Sequence, residues 1–162
     1  MIIEIPISSD YMSRAREKAS QMGILQGSIT GGSRNVLGAI GEVVVADSIK
    51  AKEVNTYHYD LVKDGVRIDV KTKRCTSKPY PNYDCSVAFH GTKQDCDAYV
   101  FVRVLDDLSK AWILGGMSKE DFYDKATLYR KGDIDTDNGY TFKADCYNIR
   151  IDRLNPIHEI QQ

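Results

Sequence analysis

Asp64-Gly65 constrains this chain more than any other pair of residues. It separates two runs with strand character, residues 56–63 and 66–73, and an Asp-Gly pair in that setting is the strongest short-range signal for a two-residue hairpin. Such a turn sets Lys63 opposite Val66, and the register then defines every later pair. Leu61 falls opposite Ile68, Asp60 opposite Asp69, Tyr59 opposite Val70 and His58 opposite Lys71. One face of the ribbon carries Tyr57, Tyr59, Leu61, Ile68 and Val70 and is the expected core face. The other carries His58, Asp60, Asp69 and Lys71.

Carboxylates directly opposite one another on a ladder lie about 5 Å apart at Cβ and repel. A divalent cation between them reverses the sign, because hard cations such as magnesium take carboxylate oxygens. A solvated hairpin face, on which charged residues are ordinary, is the other reading. Lys71 projects on the same side, where a lysine can orient a water or stabilise developing negative charge. Taken alone, Asp-x-Lys is a common triplet. The opposed acids give it weight, since a merely solvated face has no reason to oppose them.

Residues 33–50 read as a helix, with Ser33 or Asn35 as its cap and Val36, Leu37, Ile40, Val43 and Val44 on its apolar side. Glu42 stands inside this run. Its neighbours three and four residues away are Gly38, Ala39, Val45 and Ala46, none of which pairs with a carboxylate. Gly38, Ala39 and Gly41 leave room for another backbone to approach. Two readings are open: Glu42 takes a proton, a cation or a donor from elsewhere in the fold, or it reaches water at the stripe's edge.

Gly41-Glu42 on a helix, then Asp60, then Asp69-Val70-Lys71 on a hairpin resembles the active-site signature of the PD-(D/E)XK nuclease superfamily, the restriction-endonuclease-like fold. The resemblance covers residues 35 to about 114, with Tyr59 standing where the family often has proline. It implies an α/β (α+β mixed) architecture of α-β-β-β-α-β order, a mixed central sheet flanked by helices. It also implies Glu42, Asp60, Asp69 and Lys71 as catalytic residues. Mg2+ or Mn2+ would be held by Asp60, Asp69 and the main-chain carbonyl of Val70, with Glu42 in support. Lys73, Arg74 and His58 are the expected nucleic-acid contacts, Lys73 because it projects beside Lys71. Small nucleases of this kind usually act as homodimers, so that two sites address two strands.

Composition limits the partners. The 162 residues suit a single domain, 1–162, with a substantial core. Lys plus Arg is 22 against 23 Asp plus Glu, a formal net charge of -1, which excludes a surface coated for non-specific DNA binding. Contacts with DNA must then come from local patches, a metal site or a dimer cleft. Arg14, Arg16 and Lys18, on an expected helix over residues 10–22, either flank such a groove or form a wet helix face. Lys78, Tyr80 and Tyr83 either continue the basic stretch toward a nucleic acid or form a solvated loop ending at Pro79 and Pro81.

No apolar run is long enough to span a bilayer, and polar sequence follows residues 1–7 at once, so neither a membrane span nor a signal peptide is expected. Cys75, Cys85, Cys96 and Cys146 lack zinc-site spacing, as expected of a reduced, cytoplasmic protein. The glycine-rich stretch 23–32 lacks the lysine and spacing of a nucleotide-binding loop. Asp133, Asp135 and Asp137 alternate like part of a calcium loop but lack its glycine and closing glutamate, so solvated acids are expected. Further strands are expected at 84–89, 98–105, 111–114 and 147–151, and a helix from a Ser118/Asp121 capping box to about 129. The expected activity is metal-dependent hydrolysis of DNA phosphodiesters. The alternatives are a junction-resolving or single-strand-specific nuclease and, in another class, a non-catalytic nucleic-acid-binding protein of the same fold.

Overall fold

The hairpin forms in the expected register. In the computed structural model, which describes residues 1–25, 36–136 and 139–160, β3 (Leu61–Lys63) pairs antiparallel with β4 (Val66–Cys75). Leu61 lies opposite Ile68 and Lys63 opposite Val66. Asp64 and Gly65 both have positive φ, 49° and 81°, as a type I′ turn requires.

The first strand is shorter than expected. Residues 56–63 read as extended, yet the ladder stops at Leu61. Thr56 Oγ1 accepts from the His58 and Tyr59 amides at 3.2 and 3.1 Å and donates to the Tyr59 carbonyl at 3.0 Å. A hydroxyl that binds nearby backbone in this way offers the chain an alternative to the ladder. The pairs Tyr59–Val70 and His58–Lys71 therefore do not form. Tyr57, expected on the core face, is 77% exposed.

Around the hairpin are β1 (Ile3–Pro6), α1 (Ser9–Leu25), α2 (Val36–Ile49), β2 (Lys52–Glu53), β5 (Asp84–Ala88), β6 (Ala98–Leu105) and β7 (Lys110–Ser118). They are followed by α3 (Lys119–Lys125), β8 (Thr127–Tyr129) and β9 (Cys146–Arg150). A six-stranded sheet has the order β1-β7-β6-β4-β3-β2, and a three-stranded sheet has the order β5-β9-β8. The large sheet is mixed: β4 runs parallel to β6, and the other pairings are antiparallel. The expected mixed α/β class is the class observed.

Each face of the large sheet has its own core. On one side, Ile68, Val70, Val100, Val102 and Ile113 pack with Ile40, Val44 and Val45 of α2 and Ala15 and Ala19 of α1. On the other, Tyr99, Phe101, Trp112 and Leu114 pack with Phe122 of α3 and with Val87 and Ile149 of the small sheet. The near-continuous apolar run of β6 follows from this double burial.

Several boundaries differ from expectation. Ser118 caps α3, accepting from the Asp121 amide at 3.1 Å, but the helix ends at Lys125 and Tyr129 lies in β8. Gly115 and Gly116 lie inside β7 rather than ending a strand. Residues 23–25 of the glycine-rich stretch extend α1, while the rest of it, with Ser33, Asn35 and Asp137, lies outside the described residues. Asp135 is buried rather than solvated, and Asp133 accepts from the Arg130 amide at 2.7 Å. The four cysteines are free thiols. No helix among the described residues is long and apolar enough to cross a membrane.

Helix α2 is apolar nearly all round, as a helix wedged between a sheet and a second helix must be. Its approach to β4 depends on one glycine. A Cβ on Gly41 would collide with Thr72 Oγ1 of β4, whereas a Cβ on Gly38 would meet nothing within 4 Å. Gly41→Ala should therefore destabilise the fold by about 1–3 kcal/mol through overpacking. Gly38→Ala should stabilise it by up to about 1 kcal/mol through helix propensity. Urea unfolding of the two variants checks both signs.

Candidate functional site

Close contact between α2 and β4 places Glu42, the residue after Gly41, beside the end of the shortened strand β3. Glu42 and Asp69 are 6% and 5% exposed, among the few buried charged side chains of the described residues. Asp60, just before β3, is partly buried between them. It was expected to pair across the ladder with Asp69. Instead the Asp60 amide donates to the Ile68 carbonyl at 2.8 Å, and Asp60 Oδ2 accepts from the Val70 amide at 2.8 Å. The side chain thus caps the edge of β4 where β3 no longer covers it. In a strand, one residue's N–H and C=O point to the same side. The Val70 carbonyl therefore faces the same open edge.

The acids touch in series: Glu42 lies against Asp60, and Asp60 against Asp69. Their electrostatics follow from crowding. Burial, and then the charge of Glu42, push the Asp60 carboxyl up to about 7 against the opposing pull of the Val70 amide. Burial, and then the charge of Asp60, push Asp69 up to about 6, with Lys71 opposing. Glu42 Oε1 and Asp69 Oδ2 are buried without a hydrogen bond of good geometry. Each nonetheless meets a lysine as an ion pair, Glu42 with Lys18 at 3.3 Å and Asp69 with Lys71 at 2.8 Å.

Lys18 is a finding that the sequence reading missed. It is neither on a wet face nor beside a groove: it is buried on α1 next to Ala15 and Ala19 and bridges Glu42 to Glu53, the latter at 2.7 Å. Its position on the buried stripe of α1 was the available signal. Glu42 thus takes its partner from elsewhere in the fold and does not reach water. Arg14 pairs with Asp47 at 3.0 Å, and Arg16 is exposed.

Gln94 was also missed, and nothing in its local sequence marks it. Lys71 Nζ donates to Gln94 Oε1 at 2.9 Å, and Gln94 Nε2 donates to Asp69 Oδ1 at 3.2 Å. The amide closes a ring with the acid and the lysine and holds both in place. Its loop is anchored from several sides. Lys119 Nζ donates to the Thr92 and Gln94 carbonyls, Arg67 pairs with Asp97 at 3.0 Å, and the Asp95 amide donates to His58 Nδ1 at 3.0 Å. His58, expected opposite Lys71, instead pins this loop from outside. Lys73 lies two positions from Lys71 on the same face of β4 and is exposed. Arg74 falls on the opposite face and pairs with Asp106 at 3.6 Å. It does not join the site.

Among the described residues no group of three or more His, Cys, Asp or Glu side chains is arranged to hold a metal ion. The donor chemistry nonetheless suits a hard cation. Oxygen donors crowd together, two carboxyls have raised pKa values, and two buried carboxylate oxygens lack a well-directed donor. A scan against protein-family models finds no match to this chain, and a search of curated proteins finds none either.

The raised pKa of Asp60 has a consequence for stability. Its carboxyl titrates near 3.8 when unconstrained and at about 7 when folded, so within that window the folded chain keeps a proton that the unfolded chain has lost. Stability must then fall as pH rises through the window. The side chain of Asp60→Asn can still accept from the Val70 amide. With a chelator present it should melt above wild type at about pH 8 and show no such advantage at about pH 4. Thermal melts at the two pH values decide it; an equal loss at both would contradict the crowding.

Proposed function

We propose that the chain is a metal-dependent DNA endonuclease of the PD-(D/E)XK kind, hydrolysing phosphodiester bonds at Asp69 and Lys71. One observation carries this reading: Asp60 and Asp69 are held in contact and away from water, with Lys71 tethered to Asp69, at a strand edge left open. Burying like charges together is costly unless a cation or proton compensates. A structural role alone would be served better by apolar residues.

Asp60, Asp69 and the Val70 carbonyl are the oxygen donors suited to Mg2+ or Mn2+, with Glu42 adjoining them through Asp60. A complete protein cage is not required, because magnesium is usually held by one or two carboxylates together with waters and substrate phosphate oxygens. Once bound, such an ion polarises a scissile phosphate and makes a bound water more acidic. The rest falls to the chain's own groups. Lys71 presents its ammonium beside Asp69, where it can neutralise charge building on a phosphate oxygen or orient a water. Gln94 keeps that ammonium from swinging away. Lys18 holds the Glu42 side chain in place beside Asp60.

The Lys18–Glu42 ion pair also favours a second reading, a DNA-binding protein of the same fold that does not cleave, since one acid is already neutralised. Cleavage separates the two. Wild type should cut linear, branched or single-stranded DNA with Mn2+ or Mg2+ and stop with a chelator. Asp69→Asn and Lys71→Met should each lose roughly 100-fold or more in rate while keeping the wild-type melting temperature within a few degrees. DNA affinity without metal-dependent cleavage of any substrate would select the second reading.

A further inference from the structure

We infer that a groove over the outer face of the small sheet is the path by which single-stranded DNA reaches the Asp69–Lys71 site, an inference that rests on the nuclease reading. The groove has a volume of about 850 Å3 and is floored by alternate residues of β5 and β9, among them Ser86, Ala88 and Asn148. A smaller cleft of about 220 Å3 shares Lys73, Asp84, Ser86 and Arg103 with it and extends to Lys71. The two share a wall, and the cleft ends at Lys71, the partner of Asp69.

Cations line this route where phosphates would pass. Lys73 and Arg103 are register partners on β4 and β6, and Lys143 stands on the rim. Among the described residues Lys73 and Lys143 make no ion pair and are open to a ligand. Arg103 is fixed, donating to the Asp84 carbonyl at 2.6 Å with its guanidinium 5.6 Å from the centre of the Tyr83 ring. The acids in the same wall already have partners. Asp145 is held by Arg130 at 3.2 Å and by the Lys131 amide at 2.8 Å, and Asp84 and Asp135 are engaged as well.

Rings decide between one strand and two. Tyr83 and Tyr140 line the groove and are 37% and 50% exposed, Tyr83 meeting Tyr80 edge-on at 5.4 Å and Tyr140 meeting Phe142 edge-on at 5.2 Å. A duplex keeps its base faces stacked inside. A single strand offers those faces to aromatic side chains while its phosphates meet the lysines, and interleaved rings and cations are the usual means of holding it. The low floor leaves space for an unstacked base. With a chain net charge of -1, a local route of this kind also supplies the attraction for DNA that the overall surface does not.

Fluorescence anisotropy with a mixed-sequence 20-nucleotide DNA, single-stranded or duplex, tests this in EDTA, where no cleavage occurs. Wild type should bind the single strand more tightly. Tyr83→Ala should weaken that binding by roughly 5- to 100-fold, the range for loss of one stacked base, with no effect on duplex binding, and Tyr83→Phe should retain it. Lys73→Glu combined with Lys143→Glu should weaken binding and flatten its dependence on salt. Equal or tighter binding of the duplex, tighter binding of RNA of the same sequence, or unchanged affinity in Tyr83→Ala would overturn the inference. A chain that binds as expected but cleaves nothing with Mn2+ keeps the groove and sinks the nuclease reading. A chain that cuts duplex DNA and is indifferent to Tyr83→Ala does the reverse.

Discussion

Buried carboxylates in contact are the constraint on which the rest of this structure turns. Asp60 and Asp69 sit together largely out of water, with Glu42 against Asp60, and the surroundings must answer their charge. Three such answers are built in. The Val70 amide donates to Asp60, Lys71 pairs with Asp69, and Lys18 crosses from α1 to Glu42. Even so, two carboxylate oxygens remain without a well-directed donor, and two carboxyls keep protons well above their ordinary range. That residual imbalance is what a bound cation would relieve.

The arrangement depends on backbone events at its margins. Thr56 winds residues 56–59 into a turn and ends β3 early, which uncovers the edge of β4 from Val70 onward. Gly41 lets α2 settle against Thr72 and brings the next residue, Glu42, to that edge. Neither residue touches the candidate chemistry. Both decide whether the acids meet, as supporting shells generally do for functional groups. Gln94 extends the same logic to the lysine, through a loop anchored to His58, Arg67 and Lys119.

The small sheet gives the site a second wall. Its inner face, with Val87 and Ile149, joins the core under β6 and β7, while its outer face is polar and open. Such a one-sided antiparallel sheet needs alternating residues, and β5 shows them: Cys85 and Val87 are buried, and Ser86 and Ala88 are exposed. The alternation that stabilises the sheet also makes the floor of the groove leading toward Lys71.

Much of this was legible in the chain because it is encoded locally. Asp64-Gly65 dictated the turn and its register, and alternation placed Asp69, Lys71 and Lys73 on one face, whereas the lack of any local partner for Glu42 left a distant partner and water both open. The expected ladder pairing of Asp60 with Asp69 was wrong in detail, because a threonine hydroxyl competing for backbone amides leaves little trace in a hydrophobic pattern. The parts that were not legible share a physical cause. Lys18 lies 24 residues before Glu42 and Gln94 lies 25 after Asp69, so those pairings exist only once helix packing and loop anchoring close the distance. By itself the sequence determined the turn, the register of Leu61 with Ile68, and the face of the strand on which Asp69, Lys71 and Lys73 stand. Tertiary structure alone decided which of them come together, how far water is excluded from them, and which lysine each acid meets, since burial and long-range contact are properties of the packed chain.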